Sequence, residues 1–413
     1  MDNKEETNKK ENILIRFKNS LHLDKLKFNT IELIVILIIG LLLGVFLGEL
    51  IFGGKSNTNK VNKTADEIND VYNTLLNEYY GELTEEDLKE AAIKAMMETL
   101  GDKNSVYMDD TESDAFVERL KGTYIGIGLE VQSTKDYPII ANIFENTPAE
   151  KAGLEKGDLI IKVDGEDVKG KALNDVTGLI KGVLNKKTKL VIKRDDKEIN
   201  KTIVTGEIDI PSVTSKIIEK DNKKIGYLYL SLFALNTDEQ FSKKLKELEA
   251  SNIDGLIIDV RSNSGGYLDT CSNILSSLLT KEQVMYQIKT KKETTKYFGS
   301  AKENKSYKIV VLTDALSASA SEVLSAALNE ELKAPLIGNK TYGKGTVQKT
   351  LELSDGSMIK YTAETWLTSK GNSINEAGIE PTIEVSLNKE YFTSGLDKDD
   401  NQLQKAISEV LSK

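Results

Sequence analysis

The 413-residue sequence predicts a multidomain α/β protein. In chain order it reads as an N-terminal membrane anchor helix, a small helical region, a β-rich region with helices, an α/β core with parallel strands, and a C-terminal helix. Three observations carry this reading. One long apolar run lies close to the N-terminus. Short alternating runs bounded by turn residues fill the middle of the chain. Beyond residue 207, apolar strands alternate with amphipathic helices, the pattern of a parallel sheet.

The apolar run is uncharged from Leu33 to Gly48 (LIVILIIGLLLGVFLG) and extends to Ile31 and Phe52, close to the roughly 20 residues that cross a bilayer. Lys9, Lys10, Arg16, Lys18, Lys25 and Lys27 precede it. Positive charge stays inside, so residues 1–30 are expected in the cytoplasm, residues 31–52 across the membrane, and the rest outside, as a single-pass cell-membrane protein. A cleaved signal peptide is the competing reading. The absence of a small-x-small cleavage site and of a lipid-accepting cysteine favours an uncleaved anchor.

Residues 53–63 (GGKSNTNKVNK) read as a polar linker and 64–107 as a helical region. Thr64 and Glu67 are spaced as a capping box. Ile68, Val71, Tyr72, Leu75, Leu76 and Tyr79 follow at helical spacing, and a second helix carries Leu88, Ala91, Ala92, Ala95 and Met96. So small a pair buries little surface and needs another surface to pack on. Residues 108–206 hold the strand-like runs YIGIGLEV, YPIIANIF, DLIIKVDG and KLVIKR. Residues 207–388 hold the strands KKIGYLYLSLF, GLIIDVR and KIVVLTD, with helices between them. In 389–413, Leu403, Ala406, Ile407, Val410 and Leu411 form one helical face.

Composition removes several chemistries. The net charge is −10 and no basic cluster stands out beyond the anchor, which argues against nucleic acid as a partner. The one cysteine, Cys271, excludes an intrachain disulfide. The one histidine, His22, falls on the cytoplasmic side of the anchor. The body of the chain therefore cannot build a Ser-His-Asp triad or a histidine-ligated zinc site, and any hydrolase in it needs a lysine or carboxylate base. No metal or other cofactor is implied.

The segment Val310–Glu330 (VVLTDALSASASEVLSAALNE) runs from a buried strand through Ser317, Ser319 and Ser321 into an apolar helix. Ser319 and Glu322 form a second capping box, so a cap and a nucleophile are both open readings for Ser319. A serine at a strand-to-helix turn is exposed, and the helix N-terminus there stabilises negative charge and offers main-chain N–H groups. Gly338–Leu353 (GNKTYGKGTVQKTLEL) first looks like a phosphate loop. Gly345 stands where serine or threonine would hold Mg²⁺, and a strand pattern follows where a helix is needed, so ATP binding is rejected. Lys344, flanked by Gly343 and Gly345, could serve as a base if burial lowered its pKa from about 10.4. Ser357/Lys360 and Ser386/Lys389 have serine-x-x-lysine spacing but lack the helix that would join each pair. DVRSNSGGYLD reads as a strand end and a turn whose glycines could present N–H groups; a plain tight turn fits it equally well.

Taken together, these segments resemble the carboxyl-terminal processing peptidases, or tail-specific proteases, serine–lysine peptidases with a PDZ domain. LSASASE is similar to the family's Gly-Ser-Ala-Ser-Ala-Ser-Glu, with Leu316 in the glycine place. TYGKGTVQ matches Thr-x-Gly-Lys-Gly-x-x-Gln in full. DVRSNSGG resembles Asp-Leu-Arg-Asn-Asn-Pro-Gly-Gly, YTAETWLTSKGNSINEAGIEP the segment after the family lysine, NTPAEKAGLEKGDLIIKVDG the core of a PDZ domain, and YIGIGLEV its carboxylate-binding loop. The resemblance implies Ser319 as nucleophile, chosen by its 25-residue spacing from Lys344 as base, and Gln348 orienting the lysine. By the same analogy Gly266 and Ala320 form the oxyanion hole. Ile125, Gly126, Ile127 and Gly128 bind a substrate's C-terminal carboxylate, and Lys181 helps couple tail binding to the protease. It further implies protein or peptide substrates with free C-termini, and a homodimer. If the place of Leu316 demanded a positive φ, the turn would be distorted. The alternative reading is therefore a catalytically inactive PDZ adaptor on a protease-like fold.

Overall fold

The structure, a computed structural model, describes residues 58–412. The anchor expected at 31–52, the cytoplasmic tail with His22 and linker residues 53–57 lie outside the described residues; the rest of the expected linker, 58–63, is not a linker but the first turns of a helix. Among the described residues no helix is long and apolar enough to cross a membrane. The chain divides into two compact units, one up to Ala92 and one from Ile93 onward.

In the first unit, helix Thr58–Glu78 runs straight through Thr64. The capping box expected there does not end a helix; helical main chain continues on both sides of it. Ile68, Val71, Leu75 and Tyr79 line up as the spacing predicts, and all four are exposed in the single chain. The Tyr72 hydroxyl donates to the Glu85 carbonyl (3.3 Å), which joins this helix to the start of the next, Glu85–Glu98.

The second unit is built on a six-stranded sheet in the order 213–220, 223–230, 255–259, 308–313, 336–338, 383–384. The first pair is antiparallel and the rest are parallel. Gly255–Asp259 is buried at every residue because both sheet faces are covered. Leu256 and Ile258 face a core shared with helices Thr237–Ala250, Leu268–Leu278 and Ala320–Leu332. Ile257, Val310, Leu312 and Ile337 face helix Asn401–Leu411 through Leu403, Ala406, Ile407 and Val410. A second, antiparallel sheet joins 106–108, 358–367, 284–289 and 294–298, with 346–352 paired to 358–367.

The β-rich middle region has its own core of Ile127, Ile140, Ile160, Val163, Val176, Ile180, Leu190 and Ile192. YIGIGLEV, read as one strand, divides at Ile127–Gly128, where Gly128 has φ +88°. Thr123–Gly126 pairs with Gly206–Asp209, so the first and last strands of the region close on each other. Leu129–Gln132 joins the region's own sheet, in the order 129–132, 139–143, 159–163, 187–194, 197–204. Helix Asp110–Lys121, absent from the sequence reading, precedes this pair and is capped by Asp109 and Glu112.

One ion network locks the open end of the parallel sheet. The Arg261 guanidinium donates to Asp259 (2.6 Å) and to Asp400 (2.8 Å), two carboxylates that are each 1% exposed. Burial opposes its charge, but the paired carboxylates dominate and raise its pKa. Tyr227 adds a hydroxyl to Asp259 at 2.7 Å. Arg261→Leu leaves two buried carboxylates facing each other without a cation. Urea unfolding is expected to show a loss of about 3–5 kcal/mol; a loss below about 1 kcal/mol would show that the network is dispensable.

Candidate active site

Packing separates the three alternating serines. The Ser317 hydroxyl is buried and donates to the Val260 carbonyl at 2.8 Å. The Ser321 hydroxyl is buried and donates to the Asn263 carbonyl at 2.9 Å. Both hold the neighbouring strand-end loop in place. Of the three, Ser319 alone lines a cavity of about 530 Å³, where it is half-buried. It has φ +54° and ψ −116°, a conformation that costs a non-glycine residue on the order of 1–3 kcal/mol. The strain turns the chain sharply between strand Lys308–Thr313 and helix Ala320–Leu332 and presents the side chain at the turn. The capping box read from the sequence closes through Glu322, whose carboxylate accepts the Ser319 N–H at 2.8 Å. Leu316 is not among the residues with positive φ, and it is 61% exposed. The left-handed residue of this turn is Ser319, so leucine distorts nothing.

Lys344 reaches the same cavity from the loop that leads into the antiparallel sheet. Its N–H donates to Glu322 (2.8 Å) and its carbonyl accepts the Trp366 indole N–H (2.8 Å). The flanking glycines are required by contact. A Cβ at Gly343 would lie 2.8 Å from the Gly378 nitrogen, and one at Gly345 would lie 2.8 Å from the Asn375 nitrogen. Burial lowers the Lys344 pKa from the ordinary lysine value; Lys360 lowers it further, while Asp102 and Glu322 oppose. Among the described residues no hydrogen bond joins the Ser319 hydroxyl to the Lys344 ammonium. Such contacts often tighten only with substrate bound. Gln348 also lines the cavity, its amide NH₂ donating to the hydroxyls of Thr346 (2.8 Å) and Thr362 (3.2 Å).

The DVRSNSGG turn packs against the serine. Asn263 Oδ1 accepts the Gly265 N–H at 2.8 Å. Gly265 and Gly266 have φ +101° and +143°, and a Cβ on Gly265 would sit 2.8 Å from that of Ser319. Among the described residues the N–H groups of Gly266 and Ala320 have no acceptor.

The expected tail-binding residues gather elsewhere in the second unit. Gly126, Ile127 and Gly128 are buried, Ile125 is half-buried, and the Ile125 carbonyl accepts the Gly182 N–H at 3.1 Å. Lys181, at the end of helix Leu173–Ile180, lies 4.9 Å from the Tyr124 ring centre and 3.6 Å from Glu118. Glu118 belongs to helix Asp110–Lys121, whose Phe116, Arg119 and Leu120 line the Ser319 cavity. Among the described residues no cluster of three His, Cys, Asp or Glu side chains could hold a metal ion.

The sequence profile of peptidase family S41 matches residues 224–385, that of the PDZ domain 139–194, and that of the activating protease CtpB N-terminal domain 51–112. The carboxy-terminal processing protease CtpB of Bacillus subtilis (strain 168) is 39% identical over 336 residues, which cover 81% of this chain and 70% of the relative. The chain belongs to peptidase family S41. It is a serine peptidase of the carboxy-terminal processing group, with a PDZ domain before its α/β core. CtpA of the same organism is 33% identical over 336 residues, covering 81% of this chain and 72% of that one. A solved structure from Bacteroides fragilis NCTC 9343 shares the fold at 18% identity with a TM-score of 0.50, covering 81% of this chain and 92% of that one.

One residue of this S41 site escaped the sequence reading except as half of a capping box. Glu322 is fully buried. Besides the N–H groups of Ser319 and Lys344, its carboxylate accepts the Thr341 hydroxyl (2.6 Å) and the Gly343 N–H (2.7 Å). Four donors from both site loops converge on it. A lone carboxylate within an otherwise apolar helical run was the available signal. Glu322→Gln puts an NH₂ group against these donors. It is expected to cost about 2–4 kcal/mol of stability and to reduce turnover in the variant that still folds. A fully active Glu322→Gln enzyme would show that the shared carboxylate is not needed.

Proposed function

We propose that this peptidase is a membrane-anchored, extracytoplasmic endopeptidase that receives the free C-terminus of a protein substrate on its PDZ domain and cleaves with a Ser319–Lys344 pair. The observation that carries the reading is the shared cavity. It holds the one serine of three whose side chain is not committed to packing, together with a half-buried lysine of lowered pKa and no histidine.

In this mechanism neutral Lys344 Nζ takes the hydroxyl proton as Ser319 Oγ attacks the scissile carbonyl carbon. Gly266 and Ala320 N–H groups hold the oxyanion of the tetrahedral intermediate. Lys344 returns the proton to the leaving amine as the C–N bond breaks, leaving an ester on Ser319. Water, deprotonated in turn by Lys344, hydrolyses it. Gln348 has already donated its NH₂ group, and its carbonyl oxygen serves to orient the lysine. The desolvated lysine does the work that histidine does in other serine peptidases. The N–H groups of Ile125–Gly128 take the substrate carboxylate, and its chain adds as a strand.

Ser319→Ala and Lys344→Ala are expected to abolish hydrolysis of an unstructured protein, while Ser317→Ala and Ser321→Ala retain much of it. The Ser319→Ala fold must be checked before its activity is interpreted, because residue 319 holds a positive φ at the turn. The neutral amine increases as pH rises through the lysine pKa. Activity should therefore climb with pH through one ionisation below about 10.4, and Lys344→Arg should be inactive because guanidinium keeps its proton. Turnover by Lys344→Arg would assign the base elsewhere.

The charge-flanked apolar run 31–52 supports the anchor, and the exposed face of Ile68, Val71, Leu75 and Tyr79 supports a homodimer. The full chain should remain with membranes after a high-salt wash, lose its extracytoplasmic part to protease added to intact spheroplasts, and sediment as a dimer in detergent. Release by salt, protection from protease, or a monomeric sedimentation coefficient would each remove the corresponding assignment.

A further inference from the structure

The charged side chains around Ser319 are of one sign. Arg119, Lys344, Lys349 and Lys360 line its cavity, and among the described residues no aspartate or glutamate lines it with them. The chain as a whole has the opposite balance, with 65 acidic residues against 55 basic ones. Lys344 is the base proposed above, and Lys349 is paired with Glu364 at 2.7 Å. Arg119 and Lys360 remain. Among the described residues neither has a carboxylate partner.

These two cations are held near each other. Lys360 is half-buried. Its main chain is pinned on both sides, opposite Val106 in one neighbouring strand and Thr350 in the other. Its ammonium lies 5.2 Å from the ring centre of Phe116. Arg119 follows Phe116 by three residues in helix Asp110–Lys121, on the same face. Both cations thus attend one ring. Burial lowers the Lys360 pKa, and the Arg119 charge lowers it further. An anion placed beside both would favour the charged form of each.

We propose that Arg119 and Lys360 form a specificity subsite that takes an aspartate or glutamate side chain of the substrate close to the scissile bond. This rests on the Ser319 site proposed above. An unmodified polypeptide offers anions of two kinds, its acidic side chains and its C-terminal carboxylate. An endopeptidase cuts away from the terminus, so the side chain is the anion that reaches this cavity. A cavity of about 530 Å³ spans about three residues of extended chain at ~3.3 Å each. The carboxylate therefore belongs to one of the residues flanking the cut. Charge-assisted hydrogen bonds to guanidinium and ammonium hold it. Lysine and arginine side chains are repelled from the same place, so basic stretches are cut poorly.

The test digests β-casein, an unstructured protein, with the full chain and maps the cuts by mass spectrometry. Aspartate or glutamate is expected at a fixed position beside the cuts. Two quenched fluorescent peptides, identical but for glutamate or glutamine at that position, then give a ratio of kcat/KM. The ratio is expected to favour glutamate about three- to tenfold and to fall toward one in Lys360→Met and in Arg119→Met. Methionine keeps an apolar stem against Phe116 and removes the charge. Because the ratio compares two substrates of one enzyme, any effect of Lys360 on the base Lys344 cancels, and one folded variant of the two is enough. No acidic position beside the cuts, or a ratio that both substitutions leave unchanged, overturns the subsite; if Ser319→Ala makes no cuts, the Ser319 site still stands. Cuts confined to the last few residues of casein, whatever their sequence, assign the cations to the C-terminal carboxylate and overturn the side-chain subsite. Casein left intact, or cut equally by Ser319→Ala, overturns the Ser319 site and the subsite with it.

Discussion

The site depends on one buried carboxylate. Ser319 belongs to the turn after a central parallel strand, and Lys344 to a loop that leads into the antiparallel sheet. Pairing of strands 308–313 and 336–338, and the Tyr342 N–H on the Ser317 carbonyl (3.1 Å), bring these two loops side by side, but Ser319 and Lys344 themselves still have to be tied together. Glu322 ties them by accepting Ser319 and Lys344 N–H groups on the same oxygen, and the Thr341 and Gly343 groups on the other. A charge so deeply buried carries a desolvation penalty of several kcal/mol, and only a full set of donors makes it tolerable. Its negative charge also works against the base, because it raises the Lys344 pKa. Burial and the neighbouring Lys360 prevail over it. The arrangement accepts an electrostatic disadvantage at the lysine in return for fixed geometry.

The parallel core was legible because its strands are apolar on both faces, and only a sheet covered on both sides explains GLIIDV beside amphipathic helices. The terminal helix was legible for the same reason: Leu403, Ala406, Ile407 and Val410 fall on one stripe, and that stripe is buried. Helix Asp110–Lys121 was not, since charged residues outnumber apolar ones along it and its start is set by a capping box rather than by periodicity. Thr64 misled because a capping pattern has no power to end a helix whose preceding residues are already helical.

Within the site, the family spacing singled out Ser319, and the structure supplies a physical reason for setting its two neighbours aside, in the carbonyls of Val260 and Asn263 that occupy Ser317 and Ser321. The role of Glu322 could not be read locally, because its partners at Thr341, Gly343 and Lys344 arrive from 19 to 22 positions away. The placement of Leu316 was equally hidden: which residue of a turn takes the positive φ depends on the packing of the whole turn, and here it is the serine.

The chain has a single tryptophan, Trp366, which is 1% exposed and forms part of the cavity wall. Its indole N–H is bonded to the carbonyl of Lys344. The indole emission of the protein therefore comes from one ring, tethered to the main chain of the lysine itself. A shift of the lysine loop breaks or bends that bond and changes the polarity around the ring, so the native protein carries an intrinsic optical gauge of its own site, readable without a label or a substrate.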